Sequence, residues 1–152
     1  MATATSQAPT ALRITRTFPV PRERVFQAWT DPQALARWFA PTDDFRTTIF
    51  ELDLRPGGRY RIEMLQGEKS HEVAGRYVEI RPPERLVFTW KWENEPAHVE
   101  ETIVTLDFFD RGGSTELVLT QDRFESPASR DEHDKGWAGC LGRLADFLGE
   151  RS

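Results

Sequence analysis

The feature that most constrains the fold is a long segment in which apolar and polar residues alternate between regularly spaced turn sequences. From residue 45 to residue 122 the alternation has a period of two, which is typical of β-strands with one buried face. Because short connections of this kind join antiparallel neighbours, the segment predicts an antiparallel meander of six strands. The turn sequences are RPGGR at 55–59, QGEK at 66–69, RPPE at 81–84, ENEPAH at 93–98 and DRGGS at 110–114.

One strand and two short helices are predicted before the meander. The sequence LRITRTFP, which starts at Leu12, alternates imperfectly and predicts a strand with one wet face. Pro21 then stands at the first turn of a predicted helix, RERVFQAWT, since proline is tolerated where the helix has no partner for its N–H. Asp31 caps a second short helix, with Pro32 at its first position.

A long helix is predicted at the end of the chain. Ser129 and Glu132, three residues apart, match the capping box that often starts a helix. At helical spacing the large apolar residues fall in one stripe, which must cover the sheet. The stripe consists of Trp137, Leu141, Leu144 and Leu148, with Cys140 and Phe147 along one edge.

Together these elements predict an α+β fold, in which a curved antiparallel sheet of about seven strands packs against the long helix and encloses a cavity. A chain of 152 residues fits one domain with a substantial core, which we place at 11–150. Residues 1–10 are small and polar without periodicity, and we expect a disordered N-terminal arm there.

Composition argues against several classes of partner. A net charge of −5 and a pI near 5.3 argue against nucleic acid, whose binding proteins usually present a basic face. The sequence has no apolar run of the roughly 18 residues that span a bilayer, and its first ten residues lack the features of a secretory signal. We therefore expect a cytoplasmic protein without membrane insertion. The single cysteine, Cys140, agrees with a reducing compartment.

Several segments in this order resemble the START-like (SRPBCC, Bet v 1-like) superfamily. They are PRERVFQAWTDPQALARWFAP, LDLRPGGRYRIEM, GRYVEIRPPERLVFTW, TIVTLDFFDRGGSTELVLTQDRF and HDKGWAGCLGRLADFL, and the likeness covers about residues 11–149. Within it, the chain is most similar to the family related to the C-terminal domain of the activator of heat-shock protein 90 ATPase. The resemblance implies a helix-grip fold with a hydrophobic pocket between the sheet and the C-terminal helix.

Motifs for metal or cofactor chemistry are missing from the sequence. The segment HEVAG departs from the H-E-x-x-H zinc motif at Gly75, and His71, His98 and His133 lack metal-ligand spacing. No G-x-S-x-G elbow, P-loop or G-x-G-x-x-G occurs. We therefore predict neither a metal nor a cofactor, and no catalytic residue is assigned.

The candidate site residues are those whose phase aims them at the predicted cavity. Pockets for small molecules are mostly apolar, with a few polar groups that orient the ligand. Buried tyrosine and tryptophan usually satisfy their polar atoms within the core, so a ligand partner is one of two readings. The predicted ligand-binding residues are Trp38, Phe39, Tyr60, Met64, Trp90, Trp92, Val104, Leu106, Gln121, Trp137 and Leu141.

Three functions are compatible with this site. The first is binding or carriage of a small hydrophobic, ring-containing molecule without a cofactor. The second is an enzyme of the cyclase or hydrolase kind that uses the same cavity, in which Tyr60, Gln121 or His71 orients or protonates the substrate. The third is a co-chaperone or interaction module, which the resemblance implies, although we expect no counterpart here of the additional N-terminal domain of the eukaryotic activator. A homodimer is compatible with each.

Glycines interrupt the last helix at Gly136, Gly139 and Gly142, and each costs roughly 1 kcal/mol against alanine in an exposed helix interior. Gly142 and Gly149 share a stripe of small residues that permits close backbone approach, whereas Gly136 and Gly139 have no visible packing reason. They are either tolerated on an exposed face, or they let the helix bend as a lid for ligand entry.

Overall fold

The structure, a computed structural model, describes residues 11–93, 101–124 and 126–150. It contains the predicted seven strands and three helices in the predicted order. The predicted arm at residues 1–10 and most of the predicted turn at 93–98 lie outside the described residues. The elements are β1 (Leu12–Phe18), α1 (Arg22–Thr30), α2 (Pro32–Trp38), β2 (Arg46–Leu52), β3 (Arg59–Gln66), β4 (Lys69–Arg81), β5 (Arg85–Trp92), β6 (Thr102–Asp110), β7 (Thr115–Asp122) and α3 (Pro127–Glu150).

The strands form one curved antiparallel sheet in the order β1-β7-β6-β5-β4-β3-β2. From β2 to β7 each strand pairs with the next, as the turn sequences predict, and β1 closes the order beside β7. In the register of β6 and β7, Val104 lies opposite Gln121 and Leu106 opposite Leu119, and all four side chains are buried. The α+β helix-grip prediction is therefore confirmed.

Local signals account for where the helices begin. The Asp31 carboxylate accepts a hydrogen bond from the backbone N–H of Gln33 over 3.1 Å and caps α2, as predicted. The capping box predicted at Ser129 is wrong. Helix α3 begins at Pro127, and its cap lies three residues earlier than predicted, since the Ser126 hydroxyl accepts from the backbone N–H of Ser129 over 3.2 Å.

The core lies between the concave face of the sheet and the apolar stripe of α3. Burying each large apolar side chain contributes about 1.5–3 kcal/mol, and this burial holds the helix on the sheet despite its glycines. Every residue of the predicted stripe is buried: Trp137, Cys140, Leu141, Leu144, Phe147 and Leu148.

The glycine that permits close backbone approach is Gly139. A Cβ on Gly139 would lie 2.2 Å from the backbone oxygen of Pro41, whereas one on Gly142 or Gly149 would meet no atom within 4 Å. The prediction that Gly142 and Gly149 permit a close backbone approach is therefore wrong, and so is the prediction that Gly139 has no packing role. Gly139 is needed so that α3 can pack against the segment after α2, and Gly136 is open in the same sense as Gly142.

Candidate functional site

A cavity of about 340 Å³ lies between the N-terminal half of α3 and the sheet strands β3, β4 and β5. The segment that follows α2 closes one side of it. We call this space the aromatic cavity. Its lining residues are Phe39, Pro41, Met64, His71, Trp90, Trp92, Glu132, His133, Gly136, Trp137 and Cys140.

Four aromatic side chains form the wall and pack on one another. The ring centroids of Trp90 and Trp137 lie 5.0 Å apart, and those of Trp90 and Trp92 lie 5.3 Å apart at nearly a right angle. Phe39 lies 5.8 Å from Trp137 and 6.0 Å from Trp90. Edge-to-face and tilted contacts at these distances are favourable, so the wall is formed before any ligand enters.

Buried hydrogen bonds fix the orientation of the Trp137 ring. Its indole N–H donates to Oε1 of Gln121 over 2.6 Å, and Nε2 of Gln121 donates to the Thr102 hydroxyl over 2.8 Å. The hydroxyl of Thr102 in turn donates to the backbone oxygen of Trp90 over 3.0 Å. This chain joins α3, β7, β6 and β5, and it uses both ends of the Gln121 amide within the core.

A second set of hydrogen bonds fixes the rim of the cavity. The indole N–H of Trp92 donates to Nε2 of His133 over 2.9 Å, and Nδ1 of His133 lies 2.8 Å from the backbone oxygen of Ser129. A carbonyl oxygen only accepts, so Nδ1 carries the proton and Nε2 is the acceptor. The geometry therefore assigns His133 as the neutral Nδ1–H tautomer.

One polar atom in the wall has no hydrogen-bond partner. The indole nitrogen of Trp90 is buried and unbonded among the described residues, and the same holds for Trp29. Both residues line a void of about 20 Å³, which shares Phe39 and Trp90 with the lining of the aromatic cavity. Buried N–H groups are rarely left unpaired, so these two indole nitrogens are unusual for a packed core.

The predicted site residues divide into two groups. Five line the aromatic cavity, and the other six are packed in the core away from it. The lining five are Phe39, Met64, Trp90, Trp92 and Trp137; the remaining six are Trp38, Tyr60, Val104, Leu106, Gln121 and Leu141.

The polar residues of the second group make their hydrogen bonds within the protein. The hydroxyl of Tyr60 donates to the backbone oxygen of Thr89, and burial raises the pKa of Tyr60 well above its ordinary value. The indole N–H of Trp38 donates to the backbone oxygen of Ala28 over 3.0 Å. Of the three groups considered for an enzyme, Tyr60 and Gln121 are thus engaged in the core, and only His71 lines the cavity.

Cys140 contributes to the cavity lining but is poorly suited to act as a nucleophile. Burial raises the pKa of the Cys140 thiol to about 12, although the nearby Arg143 guanidinium acts in the opposite direction. The thiolate is the reactive form, so the side chain is protonated and inert at neutral pH.

Six lining residues are absent from the predicted ligand-binding set, and of these only His71 was considered, in the enzyme reading. Periodicity of the apolar residues cannot reveal them, because most are polar or small. A signal does exist on α3, where Glu132, Gly136 and Cys140 follow at intervals of four beside the stripe of Trp137. The missed residues are Pro41, His71, Glu132, His133, Gly136 and Cys140.

Two kinds of feature are absent from the described ranges. No group of three or more His, Cys, Asp or Glu residues in that part of the chain is arranged to hold a metal ion. None of the helices described there is long and apolar enough to cross a bilayer.

Comparisons with known proteins agree with this architecture. A crystal structure of a protein from Chromobacterium violaceum is 30% identical, with a TM-score of 0.83, and the match covers 92% of this chain and 97% of that one. The AHSA1 protein from Silicibacter pomeroyi is 25% identical over 93% of this chain and 99% of that one, with a TM-score of 0.82. A Rhodobacter sphaeroides protein is 24% identical over 97% and 98%, with a TM-score of 0.81.

Family assignment rests on the sequence itself. No curated protein gave a significant match. Residues 19–149, most of the chain, match the family described as Activator of Hsp90 ATPase homolog 1-like protein. The resemblance inferred from the sequence segments is thereby confirmed. The chain belongs to the Activator of Hsp90 ATPase homolog 1-like family.

Proposed function

We propose that the protein binds a small, ring-containing apolar molecule in the aromatic cavity. The observation that carries the proposal is the space itself. About 340 Å³ stays open although its wall consists of indole and phenyl rings that gain by being covered. The volume falls within the range of pockets for small molecules, which is roughly 300–1,000 Å³.

The volume limits the size of the ligand. An apolar cavity of about 150 Å³ accommodates one benzene ring, so the aromatic cavity has room for roughly two rings. The three indole rings offer flat surfaces on which such a molecule can stack. Family membership supports the same function, since members of the START-like superfamily bind apolar molecules.

A fluorescence titration with prodan, a neutral two-ring fluorophore that brightens in apolar surroundings, tests the proposal. The chain offers a matched pair of variants on α3. A Cβ at Gly136 or at Gly142 meets no atom within 4 Å, but only Gly136 lines the aromatic cavity. We expect Gly136→Leu to fill part of the cavity and weaken binding at least tenfold, and Gly142→Leu to bind as the wild type does.

Two outcomes would contradict the proposal. Equal affinities of the two variants would show that the fluorophore binds elsewhere. No saturable binding of prodan by the wild type would leave a role on the outer surface, such as that of a co-chaperone, as the better reading. Native mass spectrometry of the protein taken from cells offers a second measurement, in which a copurified apolar molecule supports the proposal.

A further inference from the structure

The charges around the aromatic cavity are unevenly distributed. The described lining residues include one carboxylate, that of Glu132, and no lysine or arginine. Two imidazoles, of His71 and His133, are the other titratable polar groups of the rim. The chain as a whole carries a net charge of −5, so its long-range field also favours cations.

The imidazole nearest the wall is uncharged. His133 accepts from Trp92 through Nε2 and donates through Nδ1 to Ser129, an arrangement that only the neutral ring can make. His71 is exposed, and its ring centroid lies 6.4 Å from that of Trp92. Water screens the exposed side chains of His71 and Glu132 alike, and the aromatic wall itself presents no positive charge among the described lining residues.

The wall attracts positive charge. The face of an aromatic ring is its negative side, and a cation within about 6 Å of the ring centroid gains from it, most of all at tryptophan. The ring centroids of Trp92 and Trp137 both lie within 5.3 Å of that of Trp90, and all three indoles line the aromatic cavity, so several rings border one small volume. An anion in that volume would meet the same rings and the Glu132 carboxylate, which oppose it.

We propose that the ligand of the aromatic cavity carries a positive charge, as a tertiary or quaternary ammonium group attached to an apolar ring. The ammonium group lies against Trp90, Trp92 and Trp137, with the Glu132 carboxylate at the rim as its counter-charge. This inference rests on the proposed function, because it names the chemical class of the molecule bound there.

The test compares probes of one shape and different charge. The cation 2-naphthyltrimethylammonium and the neutral 2-tert-butylnaphthalene are isosteric, and 2-naphthoate supplies a negative charge on the same ring system. Affinities are measured by displacement of prodan. We expect the cation to bind about tenfold more tightly than the hydrocarbon and the anion to bind most weakly.

Variants locate the counter-charge. Glu132→Gln should weaken binding of the cation several-fold and leave the hydrocarbon unchanged. Asp134→Asn removes the same charge two residues further along α3 from an exposed position outside the lining, and should change neither affinity. An equal loss of affinity for the cation in both variants would mean that only the net charge of the protein matters, and it would overturn the assignment of Glu132 as the counter-charge.

The two proposals fail separately. If the hydrocarbon and prodan bind while the cation binds no more tightly than the hydrocarbon, the inference about charge is overturned and the proposed function stands. If none of the probes binds, the proposed function is contradicted, and the inference falls with it.

Discussion

The indole N–H of Trp92 donates to Nε2 of His133 over 2.9 Å, and this bond joins the sheet to α3 at the rim of the aromatic cavity. It requires an unprotonated Nε2, because a protonated one would present a second N–H to the indole. The groups around it are His71 on β4, which lies near Trp92, and Glu132 and Asp134 beside His133 on α3. The link therefore depends on the neutral Nδ1–H tautomer of His133.

We predict that His133 carries its proton on Nδ1 and accepts the Trp92 indole N–H at Nε2. In ¹⁵N NMR spectra at pH 7.5, His133 should therefore show the Nδ1–H tautomer. In His133→Phe the Trp92 indole proton should move upfield, since it loses its acceptor. His71→Asn keeps that acceptor and serves as the control. An Nε2–H tautomer, or an indole signal that moves in His71→Asn instead, would contradict the assignment.

Arg143 connects α3 to the wall segment of the cavity. Its guanidinium donates to three backbone oxygens at and after the end of α2, over 3.0–3.1 Å. These oxygens belong to Arg37, Trp38 and Thr42, which flank Phe39 and Pro41. Carbonyls at the end of a helix have no intrahelical partner, so one side chain satisfies groups that would otherwise need water.

We predict that Arg143→Met lowers the free energy of unfolding by about 2 kcal/mol or more, since hydrogen bonds from a charged donor contribute about 1.5–3 kcal/mol each and the site is partly exposed. It should also weaken ligand binding by loosening the segment that carries Phe39. Arg130→Met is the matched control on the same helix. Arg130 pairs with its exposed neighbour Asp131, and such pairs contribute little. Similar losses in the two variants, by urea denaturation, would refute the role of Arg143.

The strands could be predicted from the sequence because their signals are local. Alternation sets the buried face, and turn sequences such as RPGGR at 55–59 and DRGGS at 110–114 set the ends of each strand. The predicted start of α3 is wrong because two serines, Ser126 and Ser129, both match the pattern of a helix cap. Ser126, followed by Pro127, is the residue that caps the helix, whereas Ser129 lies within its first turn.

The candidate site could be predicted only in part. The alternation along a strand shows which face of the sheet a side chain lies on, but it does not show where the sheet and α3 leave space between them. Trp90 and Leu106 both face inward, yet Trp90 borders open space and Leu106 is fully packed. Polar rim residues such as Glu132 and His133 belong to the site because of where α3 crosses the sheet. Gly139 is explained by Pro41, which is distant in sequence, and no local pattern carries that contact.

Alanine substitutions at two glycines of α3 should change stability in opposite directions, because a Cβ at Gly139 would meet Pro41 and one at Gly142 would meet no atom within 4 Å. Gly139→Ala would place a Cβ 2.2 Å from a backbone oxygen, so α3 must shift, and we expect a loss of at least about 2 kcal/mol. Gly142→Ala meets no atom and should gain up to about 1 kcal/mol from helix propensity. Thermal unfolding of both variants measures the difference. A stabilised Gly139→Ala would contradict the packing.

The same two variants bear on whether α3 bends to admit a ligand. Because Gly139→Ala disturbs packing, it cannot report on bending alone, whereas Gly142→Ala stiffens α3 without entering the cavity. If α3 must bend for entry, ligand association and dissociation should both slow in Gly142→Ala at unchanged affinity. Stopped-flow rates equal to those of the wild type would show that α3 does not bend at Gly142 when a ligand enters.

Cys140 makes the protein sensitive to alkaline pH. Burial raises its pKa from 9.0 to about 12, so the folded state keeps the proton after the unfolded chain has lost it. The stabilisation is fully present below pH 9 and is lost as the pH rises from 9 to about 12, by about 1.4 kcal/mol per pH unit. Tyr60 and Tyr77, whose pKa values burial also raises, add losses of the same sign above pH 10.

To isolate the contribution of Cys140, we compare how far the free energy of unfolding falls with rising pH in the wild type and in variants without the thiol. Between pH 8 and pH 10 the wild type should lose about 1.4 kcal/mol more than Cys140→Ala, measured by urea denaturation at each pH. The tyrosines contribute equally to both proteins and cancel. Cys140→Ser, which also does not titrate in this range, should match the alanine variant. A loss as large in both variants as in the wild type would mean that the thiol ionises in the folded protein and is more accessible to water than its burial implies.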